Sequence, residues 1–155
     1  MEKIIEGLET ILKRYHSLFK GMPVDLQNRK PKTEGWSIKQ ELGHLVDSAQ
    51  NNLQRFIRIQ YQDSVHVHYN ADEWVRINDY ANTDWYELVE LWYLLNSQVC
   101  RVLKGIPASA LGKKIDVGSG ESKEYPLSYI SEDYIVHMQH HIDHIFGHSS
   151  EGPMA

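Results

Sequence analysis

The sequence predicts an all-α protein, folded as a four-helix bundle. Four long segments carry apolar residues at helical spacing, and turn-forming residues separate them. No segment alternates apolar and polar residues convincingly over the length of a β-sheet. A chain of 155 residues can form one such bundle with a core that needs no disulfide, and it has a single cysteine, Cys100.

The first two helices have clear boundaries in the sequence. The first is predicted over about residues 2–20 and ends at Gly21-Met22-Pro23. Its apolar side is formed by Ile5, Leu8, Ile11, Leu12, Tyr15 and Leu18. The second follows Trp36, with Ser37 as N-cap and Gln40 completing a capping box, and it continues to about Tyr61.

Longer connections precede the last two helices. Residues 62–82 form a linking segment with a short helix through Trp74 and Ile77, and the third long helix runs from a cap at Thr83 to Gly105. A hairpin turn or a mobile loop is expected at residues 118–120. The fourth helix begins near Ser128 or Ser131 and ends at Gly147, its C-cap. We expect one domain over residues 1–148 and a frayed tail over residues 149–155.

Charge and hydropathy exclude several classes of protein. Sixteen Lys and Arg residues against 21 Asp and Glu residues give a formal net charge of -5, without a basic block for a run of phosphates. Nucleic acid is therefore not an expected partner. The sequence shows neither a signal peptide nor an apolar run long enough to span a membrane, so we expect a soluble cytoplasmic protein that does not bind membranes.

Four histidines within residues 137–144 are the main functional signal. Residues four apart lie on the same face of a helix, so His137 with His141, or His140 with His144, could bind one metal ion. The helical wheel places His141 and then His137 nearest the apolar side, and His140 towards water. The first pair is thus the better metal pair, although all four could also be ordinary histidines on a polar flank.

A stable metal site usually needs a third ligand from another element. Of the other histidines, only His44 lies deep inside a long predicted helix. The periodicity of that helix, however, places His44 opposite the apolar face, with Gln40, Asp47, Asn51 and Arg55. Periodicity alone therefore predicts that His44 lies in solvent.

Several short motifs resemble the DinB/YfiT-like family of four-helix-bundle proteins. The second helix has Trp36-Ser37 at its entry, then Gly43-His44-Leu45 and Asp47, and the linker from Trp74 to Tyr80 and the helix opening at Trp85 also match. The fourth helix resembles the closing signature of the family, with His137, His141, His144 and Ile145 in the matching places. The resemblance covers most of the chain.

The resemblance implies an up-down-down-up bundle with a long connection after the second helix. It implies one divalent metal ion, commonly nickel or zinc, held by His44, His137 and His141. In this family His44 lies at a polar cleft near one end of the bundle, and Gly43 beside it would permit a close approach by another helix.

Two activities and one non-enzymatic role follow from such a site. A metal-bound water would give a metal-dependent hydrolase, whereas a metal-bound low-molecular-weight thiol would give an S-transferase or isomerase. A metal-binding stress-response protein without a substrate is the third reading, and a homodimer is a further expectation. A small molecule is the expected substrate of either enzyme.

No catalytic residue can be assigned from the sequence. Asp47, His144 and Tyr80 are candidates to contact the ligands or line the cleft, and Asp47 and Asp143 are the nearest acids for a general base. Each acid has an ordinary alternative: Asp47 as a carboxylate on the helix surface, and Asp143 as a solvated group or a partner of a neighbouring histidine.

Overall fold

Four long helices form the bundle in the computed structural model, which describes residues 1–147. They are α1 (Glu2–Lys20), α3 (Ile38–Tyr61), α5 (Trp85–Lys104) and α6 (Leu127–Phe146). The connections contain the short helices α2 (Val24–Gln27) and α4 (Ala71–Ile77) and two 3-10 turns, Tyr80–Asn82 and Ala108–Ala110. The predicted bundle is confirmed. His148 and the predicted tail lie outside the described residues, and the single domain stays a prediction.

The helix ends follow the predicted chemistry with two corrections. The Ser37 hydroxyl accepts from the Gln40 backbone N–H, and the Gln40 side chain accepts from the Ser37 N–H, so the capping box of α3 is confirmed. The cap of α5 is Asp84 and not Thr83. The fourth helix begins directly after Pro126, earlier than predicted, because proline already has the φ of a helix entry.

A small three-stranded sheet was not predicted. Its strands are β1 (Val65–His66), β2 (Lys114–Asp116) and β3 (Glu124–Pro126), with β1 parallel and β3 antiparallel to the central β2. Strands of two or three residues are too short to show an alternating pattern. The turn predicted at residues 118–120 is confirmed as a hairpin, in which the Asp116 carboxylate accepts from two backbone N–H groups.

Contacts between the long helices confirm the up-down-down-up arrangement. The pairs α1/α5 and α3/α6 each run antiparallel, because the start of one helix lies beside the end of the other. The contacts are Trp85–Phe19 and Lys104–Glu9 between α1 and α5, and His44–His137 and Phe56–Tyr134 between α3 and α6. Since Phe19 and Phe146 also meet, α1 and α6 end together. The neighbours α3 and α5 are therefore parallel.

Parallel neighbours require a connection that returns along the bundle. Residues 62–84 return along the polar face of α3, where the Arg55 guanidinium donates to the Val67 carbonyl at 2.6 Å. Further along, the Tyr80 hydroxyl and the Asn78 amide donate to Oδ1 of Asp47 at 2.5 and 3.1 Å. The long connection after the second long helix is thus confirmed, and from here it is called the return connection.

The return connection explains why the periodicity of α3 was misleading. His44, Asp47 and Asn51 are only 5%, 0% and 3% exposed, although the helical wheel placed all three in solvent. That prediction is wrong, because a wheel identifies only the most apolar side of a helix and says nothing about a second covered side. The reading of Asp47 as a surface carboxylate is wrong for the same reason.

Gly43 allows the return connection to lie close to α3. A Cβ atom at this position would be 2.1 Å from Cδ2 of Tyr80, so only glycine leaves room for the aromatic ring. The expectation of a close approach at Gly43 is met by the 3-10 turn that carries Tyr80, and not by another helix.

Gly43→Ala should destabilise the protein by about 2–3 kcal/mol. The added methyl group displaces the Tyr80 ring and weakens its hydrogen bond to buried Asp47, which outweighs the higher helix propensity of alanine. The matched control is Gly7→Ala in α1, where a new Cβ meets nothing within 4 Å. It should stabilise the protein by about 0.5–1 kcal/mol. Urea unfolding measures the change in the free energy of unfolding for each substitution. Equal changes for Gly43→Ala and Gly7→Ala would contradict the packing of Tyr80 on Gly43.

Asp47→Asn should stabilise the metal-free protein at neutral pH. Burial raises the pKa of Asp47 from 3.8 to about 6, although the hydrogen bonds from Tyr80 and Asn78 oppose the rise. The folded protein therefore holds this proton more tightly than the unfolded chain, so the contribution of Asp47 to the free energy of unfolding increases as the pH falls from 7 to 4. The advantage of the variant, up to about 3 kcal/mol at pH 7, should disappear below pH 4. Urea unfolding from pH 4 to pH 7 measures the free energy of unfolding of the variant and the wild type. A difference between the two that does not change with pH would contradict the prediction.

Candidate metal centre

The capping box fixes where the polar side chains of α3 stand. Because α3 begins at Ile38, Glu41 lies in its first turn and His44 in its second, three residues apart and on one face. Both side chains point towards α6, the antiparallel neighbour. The start of α3 therefore meets the last turns of α6, where the histidine cluster lies.

The orientation predicted for α6 is confirmed. Its buried side is formed by Leu127, Ile130, Ser131, Tyr134, Met138, Ile142 and Ile145. His137 and His141 border this side and are half-buried, whereas His140 is exposed. Gly147, with a φ of 71°, ends the helix in the left-handed conformation expected of a C-cap.

Three histidines from the two helices converge at this end of the bundle. Nε2 of His44 lies 3.1 Å from Nε2 of His137, and the His141 ring centroid lies 4.6 Å from those of the other two. One ligand atom of each residue lies within 4.8 Å of those of the others. Imidazole nitrogens bound to one ion at about 2.0–2.1 Å stand about 3 Å apart, which matches the distance between His44 and His137.

The environment keeps the imidazoles of His44 and His137 neutral. Burial, with the neighbouring His137 and His141, lowers the pKa of His44 from 6.5 to about 3. Burial, with His141 and His140, lowers the pKa of His137 to about 4. A neutral imidazole has a free lone pair, and this is the form that binds a metal ion. The donor set and its spacing therefore fit a divalent cation that prefers nitrogen ligands, such as zinc or nickel.

Glu41 is a member of the site that the sequence reasoning missed. Its Oε2 contacts Nδ1 of His141, and both side chains are largely buried. Within residues 1–147, Glu41, His141 and His144 form a second group whose potential ligand atoms lie within 4.8 Å of one another. The sequence spacing could have identified Glu41, because a carboxylate one helical turn before His44 lies on the same face of the helix.

Trp36 and a cavity lie beside the cluster. The indole ring of Trp36 lies 4.7 Å from the His44 ring and 6.4 Å from that of His141, measured between ring centroids. A cavity of about 280 Å³ opens next to them, and Glu41, His141 and His144 line it together with Lys32 and Asp72. A small molecule placed there would reach His141 directly.

Of the other candidates, Asp47, Tyr80 and Asp143 lie apart from the three histidines, whereas His144 lies beside His141. Asp47 and Tyr80 bind each other under the return connection, and no hydrogen bond within residues 1–147 joins either one to the cluster. Asp143 accepts from Gln139 at 2.7 Å, which is an ordinary helix-surface contact. His144 is half-buried, and its pKa is lowered mainly by burial.

Among residues 1–147, no helix is both long and apolar enough to cross a membrane.

No curated protein gives a significant sequence match to the chain. Comparison with solved structures does show the fold. The chain is similar to YfiT from Bacillus subtilis, a probable metal-dependent hydrolase with an unusual four-helix bundle topology, with a TM-score of 0.86 and 21% identity, over 96% of this chain and 85% of that one.

A second solved structure is a mycothiol-dependent maleylpyruvate isomerase. It matches with a TM-score of 0.75 and 10% identity over 92% of this chain, which spans 59% of the isomerase. The sequence profile of the DinB superfamily matches residues 8–145. The predicted family is thereby confirmed, and the chain belongs to the DinB superfamily.

Proposed function

We propose that the protein binds one divalent metal ion through His44, His137 and His141 and acts as a metal-dependent hydrolase on a small molecule. The observation that carries this proposal is the convergence of three imidazoles from α3 and α6, with His44 and His137 only 3.1 Å apart at Nε2. Without an ion, one of these two Nε2 atoms has to donate to the other, and Nδ1 of His44 has no partner within residues 1–147. A divalent ion would instead bind the lone pairs of both Nε2 atoms and leave each Nδ1 to carry the hydrogen. Nickel and zinc are among the ions that imidazole donors bind well.

The chain's own residues would bind the substrate beside this ion. Three histidines leave coordination positions open, and the cavity lined by His141, His144 and Glu41 gives access to them. A bound divalent ion supplies an activated water and polarises a carbonyl or phosphoryl oxygen. Lys32, on the cavity wall, can orient a polar substrate.

A thiol-dependent transferase or isomerase is the second candidate. The similarity in fold to a mycothiol-dependent isomerase supports it. The same three-histidine ion would bind the sulfur of a low-molecular-weight thiol and favour its thiolate form. The two candidates differ in what occupies the open position, water or thiol. A cytoplasmic location and a homodimer stay predictions.

We expect about one divalent ion per chain in the wild type and none in His44→Ala, His137→Ala or His141→Ala. The loss of a direct ligand should weaken binding more than the about 10–100-fold cost of losing a residue that only supports a ligand. Elemental analysis of untagged protein, purified without added metal, measures this.

His140→Ala is the matched control, because His140 lies on the same helix but is exposed. It should retain the ion. Equal losses from His140→Ala and His44→Ala would indicate a diffuse surface cluster in place of a three-histidine centre and would refute the proposed ligand set.

A cobalt-substituted sample should separate the two enzymatic candidates. Cysteine, added as a probe thiol, can occupy an open position of the ion in either case, so ester hydrolysis decides between them. For a hydrolase, simple esters should be hydrolysed without any thiol, in a reaction that His44→Ala abolishes. A saturable sulfur-to-cobalt charge-transfer band without ester hydrolysis would instead support the thiol-dependent enzyme. Absorption spectroscopy and an ester-hydrolysis assay on the same sample measure both.

A further inference from the structure

The contact between Glu41 and His141 limits which nitrogen of His141 can face the other two histidines. Oε2 of Glu41 contacts Nδ1, so only Nε2 of His141 is left for the cluster. An ionised carboxylate has lone pairs and no hydrogen to donate, so the hydrogen in this contact belongs to Nδ1. Nε2 then carries the free lone pair that a metal ion requires.

We propose that Glu41 is a positioning residue that holds His141 with its Nε2 towards His44 and His137 and in the tautomer that binds metal. The inference rests on the proposed function, and it adds a residue that does not itself bind the ion. Metal-bound histidines commonly donate their second ring N–H to such a carboxylate, which orients the ring and makes it a stronger ligand.

The surroundings of Glu41 suit this role. Its side chain and that of His141 are only 11% and 14% exposed, so solvent screens the contact weakly. Glu41 stands in the first turn of α3, one turn before His44, and the capping box at Ser37 fixes that turn. The contact therefore crosses from the helix that provides one histidine to the helix that provides the other two.

A nearby negative charge could also attract a cation without orienting any histidine. Asp72 offers the control, because it lines the same cavity but is exposed and forms no hydrogen bond to His141. Glu41→Gln and Asp72→Asn each remove one negative charge at nearly constant volume. Long-range attraction predicts similar effects of the two substitutions, whereas positioning predicts a large effect only at Glu41.

The experiment measures the dissociation constants of zinc and nickel by competition with a chromophoric chelator. Glu41→Gln should weaken binding about 10-fold and Glu41→Ala up to about 100-fold, because glutamine can still accept from Nδ1 and alanine cannot. Asp72→Asn should bind like the wild type. Glu41→Asp, which keeps the charge on a shorter side chain, should lie between the wild type and Glu41→Ala, and circular dichroism confirms that each variant is folded.

The tautomer of His141 provides a readout without any metal. Nitrogen-15 NMR of the metal-free protein should show the hydrogen on Nδ1 in the wild type and on Nε2, at least in part, in Glu41→Ala. A residue that only stabilises the fold would not change this signal. An unchanged tautomer in Glu41→Ala would overturn the inference.

The failure of each proposal has its own signature. A wild type that binds no metal refutes the proposed function and the positioning role with it. A wild type and Glu41 variants that bind one ion equally well overturn the positioning role alone. If the wild type binds two ions and Glu41→Gln loses only one, Glu41 is a ligand of a separate cation with His141 and His144, which also overturns the inference.

Discussion

The parallel arrangement of α3 and α5 is the constraint on which the site depends. Two neighbouring helices that run in the same direction need a chain segment that returns along the bundle, and here residues 62–84 return over the polar face of α3. Tyr80 fastens this segment through its contact with Gly43 and its hydrogen bond to Asp47. As a result the first half of α3 is buried on nearly every side, although only one side is apolar.

Burial of that polar face gives the candidate site its chemistry. In water the histidines would hold or lose a proton with little preference near neutral pH. In the bundle, burial lowers the pKa of His44 and His137 to about 3 and 4, so the rings stay neutral and their lone pairs stay available. The antiparallel packing of α3 on α6 then brings His44 beside the pair on α6. Stability is given up for this arrangement, since buried polar groups need partners and Nδ1 of His44 has none within the described residues.

The two solved structures that resemble this chain show how little the fold decides about the reaction. One is described as a probable metal-dependent hydrolase and the other as a thiol-dependent isomerase, and both have the fold of this chain. A scaffold that brings three histidines to one end leaves the chemistry to whatever else reaches that end. In this protein those groups around the cavity are Glu41 from α3, His144 from α6 and Lys32 from the loop before α3.

The sequence by itself determined the four long helices, the capping box at Ser37, the C-cap at Gly147 and the inward position of His137 and His141, because each of these depends on local spacing along the chain. Motif resemblance determined the family and pointed to His44. Only the tertiary structure decided that His44 and Asp47 are buried and that Glu41 contacts His141. Helical periodicity identifies the apolar side of a helix, but a polar side can be buried as well when a distant segment supplies its hydrogen bonds. Which segment covers that side is set by the directions of the helices, and no local pattern in the sequence encodes those directions.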